Sequence, residues 1–80
     1  MKLEVSEVVN IITRFLENKT TDYEWDDFVS IPLTDQELDK IRRECLSLPD
    51  RFPSVNSNEY CSAEGSEYLK QLLEQLKKNL

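Results

Sequence analysis

Thr34-Asp35-Gln36-Glu37-Leu38-Asp39-Lys40-Ile41-Arg42-Arg43-Glu44-Cys45-Leu46-Ser47-Leu48-Pro49 carries the clearest helix signal in the chain. Thr34 with Glu37 three residues on fits a capping box: the hydroxyl accepts from the amide three residues later, and the carboxylate returns to the Thr34 amide. Leu38, Ile41, Cys45 and Leu48 recur at three- and four-residue spacing, which sets them on one helical face. Acids come first and Arg42 and Arg43 later, the order that the helix dipole favours. Pro49 has no amide hydrogen and is expected to stop the helix. The segment predicts a helix over 35–48.

Two further stretches repeat the pattern. Val5, Val8, Val9, Ile12, Phe15 and Leu16 share a face over 4–17, widened by Ile11. A buried strand at Val8–Ile12 is the competing reading, but the apolar pattern continues past strand length. Asn18 suits the left-handed residue that closes a helix. Leu69, Leu72, Leu73, Leu76 and Leu80 form a stripe, with Tyr68 beside it, in a helix over 63–78 that Ser62 can cap and that Lys77 and Lys78 complement. Between the first two helices, a short helical turn is expected near 24–28, with Thr21 or Asp22 as cap. Val29 to Leu33 should then run extended, because the residue before Pro32 is pushed out of the α region. Residues 49–61 make the longest expected loop, tacked to the core by Phe52, Val55 and Tyr60. Three apolar stripes are most simply satisfied by burial against one another, so the expected fold is all-α, a small bundle of three main helices in a single domain, 1–80.

Composition agrees. Eighty residues make one domain, and a chain of this size buries only roughly 60% of its unfolded surface. A single glycine argues against sheets and barrels, whose tight turns draw on it. No apolar run is long enough to span a membrane, and the start of the chain carries acids where a secretory leader would be apolar. The expected compartment is the cytoplasm. There Cys45 and Cys61, which could pair in principle, are expected to stay reduced and to act as small hydrophobes.

Several chemistries are excluded. There is no histidine, so the commonest general base, metal ligand and physiological-pH switch are missing together. Gly65 stands alone, without a phosphate-binding loop around it. Neither cysteine can form a Cys–His pair, and no carboxylate pair stands out for acid–base work. The alternation Asp22, Glu24, Asp26 invites comparison with a calcium loop, but the sixth and twelfth positions are Asp27 and Leu33, where glycine and glutamate are needed. We expect no enzyme activity, no metal and no cofactor.

The net charge of −6 is unevenly spread: residues 20–39 hold Asp22, Glu24, Asp26, Asp27, Asp35, Glu37 and Asp39 and no Lys or Arg. Such a block repels phosphate and anionic lipid and steers basic protein surfaces inward. Lys40, Arg42, Arg43 and Arg51 form too small a patch for nucleic acid and are expected to pair within the chain. Within the block, Asp22-Tyr23-Glu24-Trp25-Asp26-Asp27-Phe28 interleaves acids and aromatics, the composition of a docking surface. Trp25 and Phe28 suit the core equally well, with the acids facing water by default. The candidate partner-binding residues are Asp22, Tyr23, Glu24, Asp26 and Asp27.

Residues 23–42, beginning Tyr-Glu-Trp-Asp-Asp-Phe-Val-Ser-Ile-Pro, and the later Tyr60-Cys61-Ser62-Ala63-Glu64-Gly65 before a leucine helix resemble a group of small uncharacterised acidic bacterial proteins. That group has no established activity, so the resemblance carries over no functional residue. In size and acidity the chain is similar to helical bacterial immunity proteins, which neutralise a basic toxin through acidic and tyrosine side chains; the likeness is one of character, without a shared motif. The functional expectation is a non-enzymatic binding protein that docks a basic protein partner, in its most concrete form a toxin, and contacts neither nucleic acid nor membrane. The alternative is a structural or oligomeric assembly protein that pairs through its leucine-rich last helix.

Overall fold

A computed structural model describes residues 2–20, 23–55 and 59–78. The fold is all-α, with four helices in chain order: α1 (Val5–Leu16), α2 (Glu24–Ser30), α3 (Gln36–Arg51) and α4 (Ala63–Lys77). Their contacts run in a ring, α1 on α2, α2 on α3, α3 on α4 and α4 on α1. The core fills the centre of that ring, with Val8, Ile12, Cys45, Leu48 and Leu69 wholly enclosed.

The apolar stripes explain the arrangement. Val8, Val9 and Ile12 of α1 are buried, and the strand reading of Val8–Ile12 falls away. Asn18 closes α1 in the left-handed region, at φ 58°. Its amide donates to the Phe15 carbonyl at 3.1 Å and that of Lys19 to the Arg14 carbonyl at 2.7 Å, the paired bonds of a left-handed helix stop. Leu69, Leu72, Leu73 and Leu76 of α4 are buried against the rest of the chain. Leu80, Thr21 and Asp22 lie outside the described residues.

Four local expectations need correction. The expected turn at 24–28 is a two-turn helix, and extended backbone begins at Ile31 (φ −103°, ψ 116°) rather than at Val29. The restraint from Pro32 acts on its immediate neighbour alone, so Val29 and Ser30 stay helical and Val29 reaches the core. The cap of α3 is Asp35, not Thr34: one Asp35 carboxylate oxygen accepts from the amides of Glu37 at 2.9 Å and Leu38 at 3.1 Å. A carboxylate there also answers the positive end of the helix. Val55, expected to pin the loop, is fully exposed, whereas Phe52 and Tyr60 do pack on the core.

The fourth correction is Pro49, which lies inside α3; the helix continues to Arg51 and its closing amide, Phe52, donates to the Leu48 carbonyl at 2.8 Å. Proline removes the amide that would serve the carbonyl four residues back. That carbonyl belongs to Cys45, a residue with no solvent exposure. The Tyr60 hydroxyl donates to it at 2.9 Å. A side chain from the next loop thus replaces the missing backbone bond, and the loop starts at Phe52 instead of residue 49.

Candidate protein-docking face

Helix α2 is too short to be stable alone; its stability comes from what it packs against. Trp25, Phe28 and Val29 turn inward. The Trp25 indole stacks on Phe15 of α1 (centroids 3.8 Å apart, planes within 10°), meets the edge of Tyr60 at 5.7 Å, and touches Phe28 at 5.4 Å. Burial pushes the Tyr60 phenol up from its ordinary range. The Trp25 indole N–H lies where it favours the Tyr60 phenolate, but it meets no hydrogen-bond geometry and is a buried polar atom without a partner.

Polar groups lock both ends of α2. Glu24 receives two bonds from the Arg14 guanidinium, Nε to Oε1 at 2.9 Å and Nη2 to Oε2 at 3.1 Å, which tie its start to the end of α1. The same carboxylate raises the pKa of Arg14. At the other end, Arg42 of α3 is buried at 7% exposure. Its Nη1 donates to the Val29 carbonyl at 2.7 Å, serving one of the carbonyls that the end of α2 leaves without an intrahelical donor. Its Nε donates to Asp39 Oδ1 at 2.7 Å, and that oxygen also accepts from the Leu33 amide at 2.9 Å. The Arg42 hydrogen bond, then the Leu33 amide, hold the Asp39 carboxyl below the usual carboxylate range. Two other basic residues also meet groups of the fold: Arg43 approaches Asp39 at 3.5 Å, and the Arg51 guanidinium lies 4.8 Å from the Tyr68 ring centroid.

What remains is the outward face. Tyr23, Asp26, Asp27 and Ser30 follow the i, i+3, i+4, i+7 spacing opposite Trp25, Phe28 and Val29, and all four are exposed. The Asp27 amide donates to the Tyr23 carbonyl at 2.9 Å, which fixes this register. Tyr23 is 74% exposed, unusual for an aromatic side chain. Among the described residues, the side chains of Tyr23, Asp26 and Asp27 have no hydrogen-bond or ion-pair partner.

Of the five residues expected from the sequence, three therefore share one open face: Tyr23, Asp26 and Asp27. Glu24 is not on it, because both its oxygens are held by Arg14. Asp22 lies outside the described residues. The sequence reading missed Arg14; it expected Arg42 to pair within the chain and Tyr60 to pin the loop to the core, but not the bonds of Arg42 to the Val29 carbonyl and of Tyr60 to the Cys45 carbonyl, which span distances in sequence that spacing does not reveal. Among the described residues, no group of three or more Cys, Asp or Glu is placed to hold a metal ion, and no helix is long and apolar enough to cross a membrane. No protein-family model, curated protein or solved structure matches the chain.

Proposed function

We propose that this chain is a non-enzymatic protein-binding module that docks a basic protein partner on the outward face of α2. The observation that carries the reading is the division of one short segment: three buried apolar side chains on one side, and on the other a solvent-exposed tyrosine with two carboxylates that no cation among the described residues pairs with. A tyrosine on a rigid backbone offers contact area at small entropic cost, and unpaired carboxylates speed encounter with a cationic surface. The Phe15–Trp25 stack and the ties through Arg14 and Arg42 hold that face before any partner arrives, which lowers the ordering cost of binding.

In its most concrete form the module is an inhibitor of a basic bacterial toxin, as the acidic, tyrosine-bearing character of the face suggests. Capture from the extract of the native host tests the reading. Wild-type protein should retain a basic protein that Asp26→Lys/Asp27→Lys does not, with capture weakening as salt rises. Equal capture by a folded double variant would assign binding to another surface.

A further inference from the structure

Among the described residues, three large apolar or aromatic side chains stand exposed: Tyr23 at 74%, Leu46 at 48%, and Val55 on the loop before α4. Apolar side chains scattered singly over a surface mean little. Two of these three are not scattered, because the packing of α2 on α3 brings Leu46 to the edge of the face that carries Tyr23, Asp26 and Asp27.

Three hydrogen bonds set the register of the two helices. The Leu33 amide donates to Asp39 in the first turn of α3. The Val29 carbonyl accepts from Arg42, one turn on. The Tyr60 hydroxyl meets the Cys45 carbonyl, and the Tyr60 ring lies 5.7 Å from Trp25. Going back along the chain from Leu33 through Val29 to Trp25 therefore goes forward along α3 from Asp39 through Arg42 to Cys45, so the helices run in opposite senses. On α3, Asp39, Arg42 and Leu46 follow the i, i+3, i+7 spacing, which puts Leu46 on the edge from which Arg42 reaches Val29. On α2, Glu24 turns to α1, where Arg14 holds it, and Asp26 lies about 200° further round the helix, on the side of α3. The Tyr60 phenol registers this placement: burial is the first cause of its raised pKa, and the Asp26 charge adds to it. Asp26 and Leu46 thus border one seam at one level.

The surroundings of Leu46 are anionic on balance. Asp26 stands across the seam and Asp50 follows at i+4; both are exposed, and neither side chain has a hydrogen-bond or ion-pair partner among the described residues. Arg43, one turn before Leu46, leans back to Asp39 at 3.5 Å. Asp26, Asp27 and Asp50 therefore outweigh the single positive charge by which Arg42 and Arg43 exceed Asp39.

We infer that the docking face crosses the seam onto α3 and that Leu46 is its second anchor beside Tyr23, so that the partner's basic segment carries an aliphatic side chain next to its cations. The inference deepens the reading of α2 as a docking face and rests on it. Carboxylates steer a cationic surface inward, but affinity comes from apolar area removed from water inside a polar rim. About half of Leu46 remains to be covered, and covering it is favourable only with an apolar group. A segment of cations alone would leave Leu46 against charge and water, and an acidic one would meet three like charges.

The test uses the full chain, labelled with ¹⁵N and ¹³C, and two short synthetic peptides of equal length and charge, one of lysine and leucine and one of lysine and serine. Both should shift the amides of Asp26 and Asp27. Only the lysine–leucine peptide should also shift the Leu46 methyls, and it should bind about fivefold more tightly. Leu46→Ala should weaken that peptide about fivefold and leave the lysine–serine peptide within about twofold. Leu46→Met, which keeps the apolar area, should restore the preference. Should the alanine variant lose its fold, the Leu46 methyl shifts of the wild type decide. Weakening of both peptides equally by folded Leu46→Ala, or of neither, would overturn the inference, as would lysine–leucine shifts centred away from Leu46. Self-association in sedimentation that Leu46→Ala abolishes would also overturn it, by making a second copy the occupant. The α2 reading fails by a different result: Asp26→Lys/Asp27→Lys leaving the affinity for both peptides unchanged, which removes the face and its extension together. If that variant weakens both peptides while Leu46→Ala distinguishes nothing, the α2 face stands and its extension onto α3 falls.

Discussion

Pro49 sits in mid-helix because Tyr60 supplies the hydrogen bond that proline removes, and a double-mutant cycle can measure the exchange. Tyr60→Phe keeps the ring that packs on Phe15 and Trp25 at 5.5 and 5.7 Å and deletes only the donor to the Cys45 carbonyl. That carbonyl belongs to a residue with no solvent exposure, so water cannot replace the bond. An unpaired buried carbonyl costs about 1–3 kcal/mol. A chain of this length loses about 4–8 °C of Tm per kcal/mol, so Tyr60→Phe should lower Tm by several degrees at least. Pro49→Ala provides an amide at the position where a regular helix would serve the same carbonyl. In that background Tyr60→Phe should be nearly silent. Pro49→Ala alone mixes a gain in helix propensity with a loss from the looser unfolded chain, so the informative quantity is the coupling. We expect about 1–1.5 kcal/mol from urea denaturation of the four proteins, clear of the roughly 0.5 kcal/mol within which independent sites add. An equal cost of Tyr60→Phe in both backgrounds would refute the substitution of one bond for the other.

Other perturbations test the remaining supports. Gly65→Ala should destabilise: a Cβ there would lie 2.8 Å from Cys61 Sγ and 2.9 Å from Phe52 Cβ. Overpacking of about 1–3 kcal/mol outweighs the ~1 kcal/mol that alanine gains in a helix, and a raised Tm would contradict this account of the chain's one glycine. Arg42→Ala strips Val29 and Asp39 of their shared donor and should cost about 2–3 kcal/mol, read as a lower urea midpoint at unchanged slope, as for other hydrogen bonds to charged groups. Arg42→Lys should rescue little, because one ammonium cannot reproduce both guanidinium bonds. The depressed Asp39 pKa stabilises the fold above its unfolded value near 3.8, and that contribution is lost as pH falls through the lower folded value. The acid limb of a Tm-versus-pH curve should therefore flatten in Asp39→Asn, and an unchanged limb would count against the role given to Asp39.

The helices legible in the sequence are those whose stripes repeat for three turns or more. Val8, Val9 and Ile12 in α1, and Leu69, Leu72, Leu73 and Leu76 in α4, mark their buried faces directly. Asn18 announced its own conformation, because few other residues tolerate positive φ. What spacing could not reveal are the long-range replacements. Proline reads as a stop because the rule counts backbone amides, and the hydroxyl that compensates lies in the next loop. Thr34 and Asp35 are both good caps, and only the backbone at Asp35 (φ −75°, ψ 123°) decides between them. Glu24 and Asp39 looked like further members of one acidic block until Arg14 and Arg42 claimed them. The same division sharpened the candidate site: pairing removed Glu24, and helical register left Tyr23, Asp26 and Asp27 together.

That face is the core of the functional account, and association kinetics with a captured basic partner probe it most directly. The account predicts that Asp26→Lys/Asp27→Lys slows association about tenfold or more at low ionic strength and flattens its salt dependence, because steering by these carboxylates is lost. It also predicts that Tyr23→Ala speeds dissociation by about tenfold, the effect of removing an aromatic anchor. Unchanged on- and off-rates in folded variants of undiminished Tm would contradict it and remove α2 from the interface.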